Sequence, residues 1–541
     1  MKARELIPLI VFVAVMLIAA YLIRENAFFT FPILQGSRLF FQLLVASLVI
    51  ALLRNVVGLS TFGIFGPMIV AIVFLQAGLL WGFFLFFNVF IVAYGARVVF
   101  DPFKLPGAHR VAIIIATVSI YVSLIEIVGE FYHIKQLEFS ILFPLLITSW
   151  LGDRFVTVGK ERGWYYPMIQ FLWTTVAVVT AFLVMDYKPL IDFILVEPFT
   201  WVAFILLNVL FGVRTRFRLS EYHRFRWLNP KSDVLTMPVR NREFIEKYNP
   251  REVLPYTEKA VMRERLASAG VAVPRNLFLA QERKDLSDCG QLISKLERFV
   301  VKPSQGFGGE GILIVKGRSG KNYVTSDGRE IGHSEIMRHI ALILDGHYSR
   351  SPRDTVLVER LIVPSEFFAS LSNSGLPDVR VIVFQGFTVM SMIRVPTILS
   401  KGKANLHMGA VAIGVKLSSG RTFRALYNGR LVGKHPDTGA ALLGLEVPTW
   451  RSILEVACRA QDASGLGYAG VDVVVDQELG PLVLEVNKRP GLAIQIVNGY
   501  GLKARLRFVE KRLSEMGAVN IQEKMAMAMS WANDIWERNG R

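Results

Sequence analysis

Two short stretches carry oxygen donors on apolar, β-branched backbone: Gly470-Val471-Asp472-Val473-Val474-Val475 and Leu482-Val483-Leu484-Glu485-Val486-Asn487. Alternation along an extended chain points Asp472 to one face of its strand, and Glu485 and Asn487 to a common face of theirs. Two carboxylates and an amide oxygen suit Mg²⁺, a hard cation that keeps part of its shell for substrate phosphates. Glu485 and Asn487 sit between Leu484 and Val486 and before Pro490-Gly491, in a strand that reads as core. Unpaired polar groups are costly there, so they are read as ligands.

A second site for chemistry lies about 170 residues earlier. The β-branched run Phe299-Val300-Val301-Lys302-Pro303 precedes Ser304-Gln305-Gly306-Phe307-Gly308-Gly309-Glu310-Gly311, and Ile312-Leu313-Ile314-Val315 follows. Two strands around a glycine-rich turn form a hairpin whose backbone N–H groups can approach polyphosphate oxygens, with Lys302 adding a positive charge. The spacing fits neither the P-loop nor the dinucleotide fingerprint. The same pattern serves as a plain turn in many proteins. Before it, Glu258 to Ala269 reads as a helix ending at Gly270, and Val271 to Phe278 as the entry to a strand.

These elements need a scaffold, and composition divides the chain in two. Of 541 residues 52% are hydrophobic and 19% charged. Through Val213 there are 13 Lys+Arg and 11 Asp+Glu; the remainder holds 48 and 33. The first part is roughly 11% charged and the second roughly 25%, and only the second matches a globular protein. The net charge of +17 divides as +2 and +15. A fully soluble enzyme, a disordered chain and a secreted disulfide scaffold are excluded. Cys289 and Cys458 show no metal or redox spacing and read as core thiols.

Eight apolar stretches approach the length of a bilayer span: Ile7 to Ile23, Arg38 to Asn55, Thr61 to Ala77, Leu79 to Val99, Val111 to Phe131, Phe139 to Leu151, Met168 to Met185 and Ile191 to Val213. The first follows a basic start but shows no cleavage site, so it is read as a retained anchor. Lys and Arg gather in loops that lie inside if the N-terminus is inside, and Arg214, Arg216, Arg218, Arg224 and Arg226 follow the last stretch. Both termini are therefore expected in the cytoplasm. Glu126, Asn88 and Asn208 are polar within the spans, with no spacing that builds a transport path.

At this point the sequence resembles the ATP-grasp carboxylate–amine ligases, and within them most closely the RimK-type α-L-glutamate ligases, in a branch associated with membrane segments. The resemblance covers roughly Thr257 to Phe508. It is carried by Tyr256-Thr257-Glu258-Lys259, Val301-Lys302-Pro303, the glycine turn, Val358-Glu359-Arg360-Leu361-Ile362, Asp378-Val379-Arg380, Arg394-Val395-Pro396, Lys403-Ala404-Asn405-Leu406-His407 and the two acidic strands, in that order. Gly409-Ala410 and Lys488-Arg489 depart from the RimK pattern and leave the substrate pocket open. The membrane half is similar to the seven-helix module found with inactive transglutaminase-like domains, preceded by one extra anchor.

The resemblance implies ATP and two Mg²⁺, with Mn²⁺ as a possible substitute. By it, Lys259, Lys302, Gly306, Gly308, Gly309 and Gly311 would hold phosphates, the segment at Glu359 the adenine and Glu366 the ribose. Arg380, Arg394 and Asn405 would serve the reaction, and Asp472, Glu485 and Asn487 the metal. The expected architecture is an all-α multi-pass membrane domain over 1–213, a basic linker over 214–256, an α+β ATP-grasp domain over 257–510 and a helical extension over 511–541. The expected function is a membrane-anchored ligase, placed in a bacterial inner membrane, that joins an amino acid such as glutamate to an amine-bearing acceptor through an acyl phosphate. Its expected partners are small-molecule or peptide substrates, the lipid bilayer and a membrane-associated transglutaminase-like protein; no nucleic acid is expected. Two other readings stand beside it: a transporter or flippase with a regulatory or cargo-charging ATP-grasp domain, and a nucleotide-binding scaffold.

Overall fold

The computed structural model describes residues 3–26, 33–103, 105, 107–137, 149–228, 230–253, 259–305, 311–349, 353–517 and 519–537. They form two compact units, Met1–Tyr222 and His223–Arg541.

The first unit is helical. Among the described residues, five helices are long and apolar enough to cross a membrane: Pro8–Glu25, Arg38–Val57, Leu79–Phe103, Gly107–Phe131 and Tyr165–Asp186. The expectation of eight spans changes at three places. Thr61 to Ala77 yields a helix of only 13 residues, Phe65–Ala77, because Gly63 and the hydrogen-bonded turn at Thr61 occupy its start. Ile191 to Val213 is broken into Lys188–Val196 and Phe199–Arg224 with a bend of 108°, at Pro198, which cannot continue the first helix. The stretch Phe139 to Leu151 falls almost entirely outside the described residues.

A further helix, Trp150–Arg162, begins at the end of that stretch and runs on through charged residues that hydropathy does not mark as a span. Gly152 lets it touch the backbone of Leu79–Val99: a Cβ there would lie 2.6 Å from the Ala93 carbonyl carbon. Asp153 on this helix accepts from Arg97 at 3.0 Å and from Arg110 at 2.6 Å, and Arg97 also pairs with Asp101. One carboxylate thus ties three helices together, and its charge is balanced where burial demands it. Phe62, Phe74, Phe86, Phe155 and Phe182 fill the adjoining core. Asn88 and Asn208 donate to Phe84 and Phe204 carbonyls of their own helices, and the Asn88 oxygen also accepts from Tyr121 of the neighbouring helix at 3.3 Å.

The second unit is α+β, built on two antiparallel sheets. The strands are β1 (Asn276–Ala280), β2 (Phe299–Pro303), β3 (Leu313–Ser319), β4 (Asn322–Thr325), β5 (Glu330–Ile331), β6 (Val356–Arg360), β7 (Asp378–Phe384), β8 (Phe387–Val395), β9 (Val411–Val415), β10 (Thr422–Tyr427), β11 (Arg430–Leu431), β12 (Tyr468–Asp476) and β13 (Gly480–Asn487). The six-stranded sheet runs β1-β6-β2-β3-β4-β5 and the seven-stranded sheet β11-β10-β9-β8-β7-β12-β13. The expected hairpin at Lys302 is β2 paired with β3, Phe299 opposite Val315. Phe299, Val301, Tyr323, Ile336, Ile340 and Val358 form the core of the smaller sheet. The central strands of the larger one are buried along nearly their whole length.

Of the stretch expected as a linker over 214–256, the described residues from His223 to Val253 belong to this unit. Leu235 and Gln495 exchange hydrogen bonds of 2.8 and 3.0 Å, Asn249 does the same with Tyr468 at 2.9 and 2.8 Å, and Phe244 is fully buried beside Phe384. The break at Asn249-Pro250 is a turn between packed pieces rather than a sign of a free tether, and Asn229 lies outside the described residues.

Candidate active site

The register of the larger sheet places its charges on one face. Residues directly opposite each other in neighbouring strands share a face, as do residues two apart along a strand. Asp378 stands opposite Arg394, Arg380 is two residues on, and Asp472 stands opposite both Arg380 and Glu485. Asn487, two residues beyond Glu485 and opposite Gly470, completes the row. Strand alternation had fixed these faces separately, and the pairing now merges them into one.

Arg380 donates twice to Asp472, at 2.7 Å each, and Arg394 donates twice to Asp378, at 2.6 Å each. Arg394 also reaches Asp472 at 2.9 Å, and the Asn487 amide donates to Asp472 at 3.1 Å. Asp378 and Asp472 are 5% and 4% exposed. Burial raises the Asp472 carboxyl, but Arg380 and Arg394 outweigh it and hold the group below its ordinary value. Burial drives Asp378 upward against the pull of Arg394. Two carboxylates and two guanidiniums leave this cluster neutral.

A second cluster joins the two sheets. Glu359 on β6 is 4% exposed and pairs with Lys302 on β2 at 2.7 Å and with Arg263 of the helix Lys259–Ser268. Arg263 also approaches Asn276 and the Leu484 carbonyl at 3.4 and 3.5 Å and lies within electrostatic reach of Glu485. Burial pulls the Arg263 guanidinium down to about 10. Charged groups therefore run continuously from Lys302 through Glu359, Arg263, Glu485 and Asp472 to Arg380, Arg394 and Asp378. Neighbours along this series are opposite in sign or bridge an opposite charge, except where the carboxylates of Glu485 and Asp472 face each other across β13 and β12. Each already has guanidinium partners, Arg263 for Glu485 and Arg380 with Arg394 for Asp472, and a metal ion would join carboxylates whose charge is shared in this way.

This junction is the observation against which the expected metal is tested, and the residues fit it. Asp472, Glu485 and the Asn487 side chain present oxygen-bearing groups on one face, the donor chemistry of Mg²⁺. Among the described residues no cluster of three or more His, Cys, Asp or Glu competes as a metal site.

The other expected residues fall in several places. Gly306, Gly308 and Gly309 lie outside the described residues, as does the Lys259 side chain. Both flanks of the glycine turn are fixed: Gln305 N–H donates to Asp354 at 3.0 Å, and the Gly311 carbonyl meets His339 Nε2 at 2.8 Å. Gly311 has φ +75°, and Tyr348 packs where a Cβ would stand. Asn405 accepts from the His407 backbone at 3.1 Å and caps a short turn, and Glu366 is exposed at the start of the helix Glu366–Leu371. Neither belongs to the charged series. Asp378 and Arg263 do belong to it and were not singled out as site residues. The i, i+2 spacing of Asp378 and Arg380 and the i, i+4 spacing of Lys259 and Arg263 were the available signals.

After Asn487 the chain folds back over this face. Gly470 is needed there, since a Cβ would lie 2.5 Å from Pro490 Cβ, and Arg240 holds the Pro490 carbonyl at 2.8 Å.

A family model described as sugar-transfer associated ATP-grasp matches residues 239–511, half of the chain. The chain belongs to that family. A second model, seven transmembrane helices usually fused to an inactive transglutaminase, matches residues 9–229. Its match begins within the first helix, so the segment expected as an extra anchor belongs to the module. The ATP-grasp unit is similar to several solved structures at low identity. An ATP-grasp ligase PsnB complexed with a phosphomimetic variant of its minimal precursor, Mg and ADP is 15% identical, with TM-score 0.27; the match covers 49% of this chain and 62% of that one. D-alanyl-alanine synthetase A from Vibrio cholerae is 12% identical, with TM-score 0.31 and coverage of 50% and 68%. Biotin carboxylase from Campylobacter jejuni is 17% identical, with TM-score 0.33 and coverage of 53% and 51%. No curated protein matches the sequence. The PsnB structure contains Mg and ADP and the biotin carboxylase structure an ATP complex, and the apolar helices make this a multi-pass membrane protein.

Proposed function

We propose that the protein is a membrane-anchored ATP-dependent ligase that joins a carboxylate to an amine. The observation that carries this reading is the pair Asp472 and Glu485, opposite each other on one sheet face, with Arg380 on Asp472 and Arg263 beside Glu485. When bound, ATP with Mg²⁺ would supply the phosphoryl group that makes a carboxylate an acyl phosphate, which an amine then displaces, leaving amide, ADP and phosphate.

The chain's own residues divide that work. Lys302, Lys259 and the glycines Gly306, Gly308, Gly309 and Gly311 hold the polyphosphate, with Glu359 fixing Lys302 at 2.7 Å. The backbone after Glu359 receives the adenine and Glu366 the ribose. Asp472, Glu485 and Asn487 hold the metal, and Asn405 stands on the acceptor side. Arg380 and Arg394 face the phosphoryl oxygens with orientations already set by their carboxylate partners, so they stabilise developing charge with little reorganisation. ATP with two Mg²⁺ is a neutral load, and it enters a site whose own charges are balanced.

The transferred unit is proposed to be an amino acid such as glutamate, the choice that the resemblance to the RimK-type ligases suggests. The family's description associates it with sugar transfer, which favours a substrate from that chemistry. A cytoplasmic second unit gives access to ATP, and the arginines between Arg214 and Arg226 favour that side. The test incubates the purified full chain with ATP, Mg²⁺ and a panel of amino acids and amines, following phosphate release and new amide mass. Amide formation matched to phosphate release is expected; hydrolysis without ligation across the panel would reject the reading.

A further inference from the structure

The loop joining β8 to β9 leaves the sheet just after Arg394 and turns aliphatic side chains outward. Ile398 is 71% and Leu399 58% exposed, the only adjacent pair of large aliphatic residues so exposed among the described residues of the second unit. The turn is built to hold them there. Thr397 N–H donates to Ser400 Oγ at 2.9 Å, Ser400 N–H donates to Thr397 Oγ1 at 3.1 Å, and Thr397 Oγ1 donates to the Gly409 carbonyl at 2.8 Å. Thr397 and Ser400 are fully buried beneath the tip. Ile398 N–H donates to Asp437 at 2.7 Å, which fastens the loop to the arm after β11. That arm exposes Leu443, and β11 before it exposes Leu431. Lys401, Lys403, Arg430 and Lys434 stand beside these aliphatics in sequence, and Lys401 takes the left-handed conformation that completes the turn.

We propose that this tip docks into the interface of an anionic bilayer, with Ile398 and Leu399 entering among the acyl chains and the flanking cations meeting the headgroups. An aliphatic tip with a basic rim is the chemistry that binds such a surface, since apolar burial and attraction to anionic lipid add together. The occupant follows from the chain itself. Every second unit is covalently joined to membrane-spanning helices, so a bilayer is present at high effective concentration and a small contact suffices. Docking brings the Arg394 end of the charged sheet face to the headgroup layer, where an acceptor anchored in lipid would present its reactive group.

The experiment uses the full chain in nanodiscs, with an environment-sensitive fluorophore attached through Ile398→Cys. Cys289 and Cys458 are both 0% exposed and stay unlabelled. A second protein labelled through Lys321→Cys, in the exposed turn between β3 and β4, gives the reference. With anionic lipid, the Ile398 label is expected to shift to the blue and be quenched by spin-labelled lipid, while the Lys321 label emits as in water. Replacing the anionic lipid by zwitterionic lipid, or adding Lys401→Glu with Lys434→Glu, is expected to weaken the quenching. A water-like Ile398 label, a blue shift without lipid quenching, or equal quenching at both positions would overturn the proposal; the second result would assign the tip to a protein surface.

Discussion

Asp378 and Arg394 are joined by two hydrogen bonds of 2.6 Å across β7 and β8, and the same guanidinium turns to Asp472 at 2.9 Å. One buried cation thus serves two buried carboxylates. Removing Asp378 unbalances the set, and Asp378→Ala is expected to cost about 3–5 kcal/mol, the usual effect of stripping one partner from a buried pair. Replacing both residues, Asp378→Leu with Arg394→Met, is expected to melt closer to wild type and to lose ligation. Thermal unfolding of the two variants decides it; an unaltered melting point for Asp378→Ala would contradict the account.

Glu485→Gln and Asn487→Ala bear on the junction where like charges meet. Each is expected to lower ATP turnover on the order of 100-fold or more while the protein keeps its melting temperature, because Glu485 is only partly buried. Turnover measured across a Mg²⁺ titration is the check. Full activity at saturating Mg²⁺ in both variants would remove the metal from this junction.

Lys302 and Arg263 share Glu359 but differ in what else they hold. Lys302→Met leaves Arg263 on the Glu359 carboxylate, so stability is expected to change little, while KM for ATP rises about tenfold or more through one lost charge-assisted contact. Arg263→Met deprives Glu359 and Glu485 together and is expected to destabilise the fold by roughly 3 kcal/mol. Melting and ATP kinetics on both variants separate the two roles.

Glu510 supplies a pH dependence. Burial would raise its carboxyl, but Lys247, Tyr248 and Arg507 donate to it and hold it down at about 2, from an ordinary value of 4.5. A depressed carboxyl contributes stability above its unfolded pKa and loses it as pH falls through the folded one. Glu510→Gln is therefore expected to melt below wild type at neutral pH, with the difference closing between pH 4.5 and about pH 2. A difference that stays constant over that range would show that the contact is not ionic.

Much of the ligase half was legible because its strands announce themselves. Oxygen donors at alternate positions of β-branched runs marked Asp472, Glu485 and Asn487, and the glycine turn between two such runs marked the β2–β3 hairpin. What sequence could not supply was register. Whether Asp472 faces Arg380 depends on which strands pair, and that is set by residues far apart in the chain, such as Val379 and Val473. Asp378 and Arg263 escaped notice for the same reason, since each matters through a partner on another element. The membrane half was harder to read. Hydropathy finds long apolar runs, so it does not mark the polar helix Trp150–Arg162 as a span, and the broken run at Pro198 read as one span.

The contacts of Asp153 also impose a sequence of events during synthesis. Arg97 leaves the ribosome with Asp101 one helical turn behind it, and that local pair can form at once. Arg110 follows, and the carboxylate that balances it is 43 residues downstream. Until Trp150–Arg162 has been made, the ends of Leu79–Val99 and Gly107–Phe131 must stay near water, where an unmatched guanidinium is tolerated. Apolar packing of Leu85 and Val89 on Ile114, Val118 and Val122 needs nothing downstream, whereas the charged ends of the two helices are joined only once Asp153 has been made.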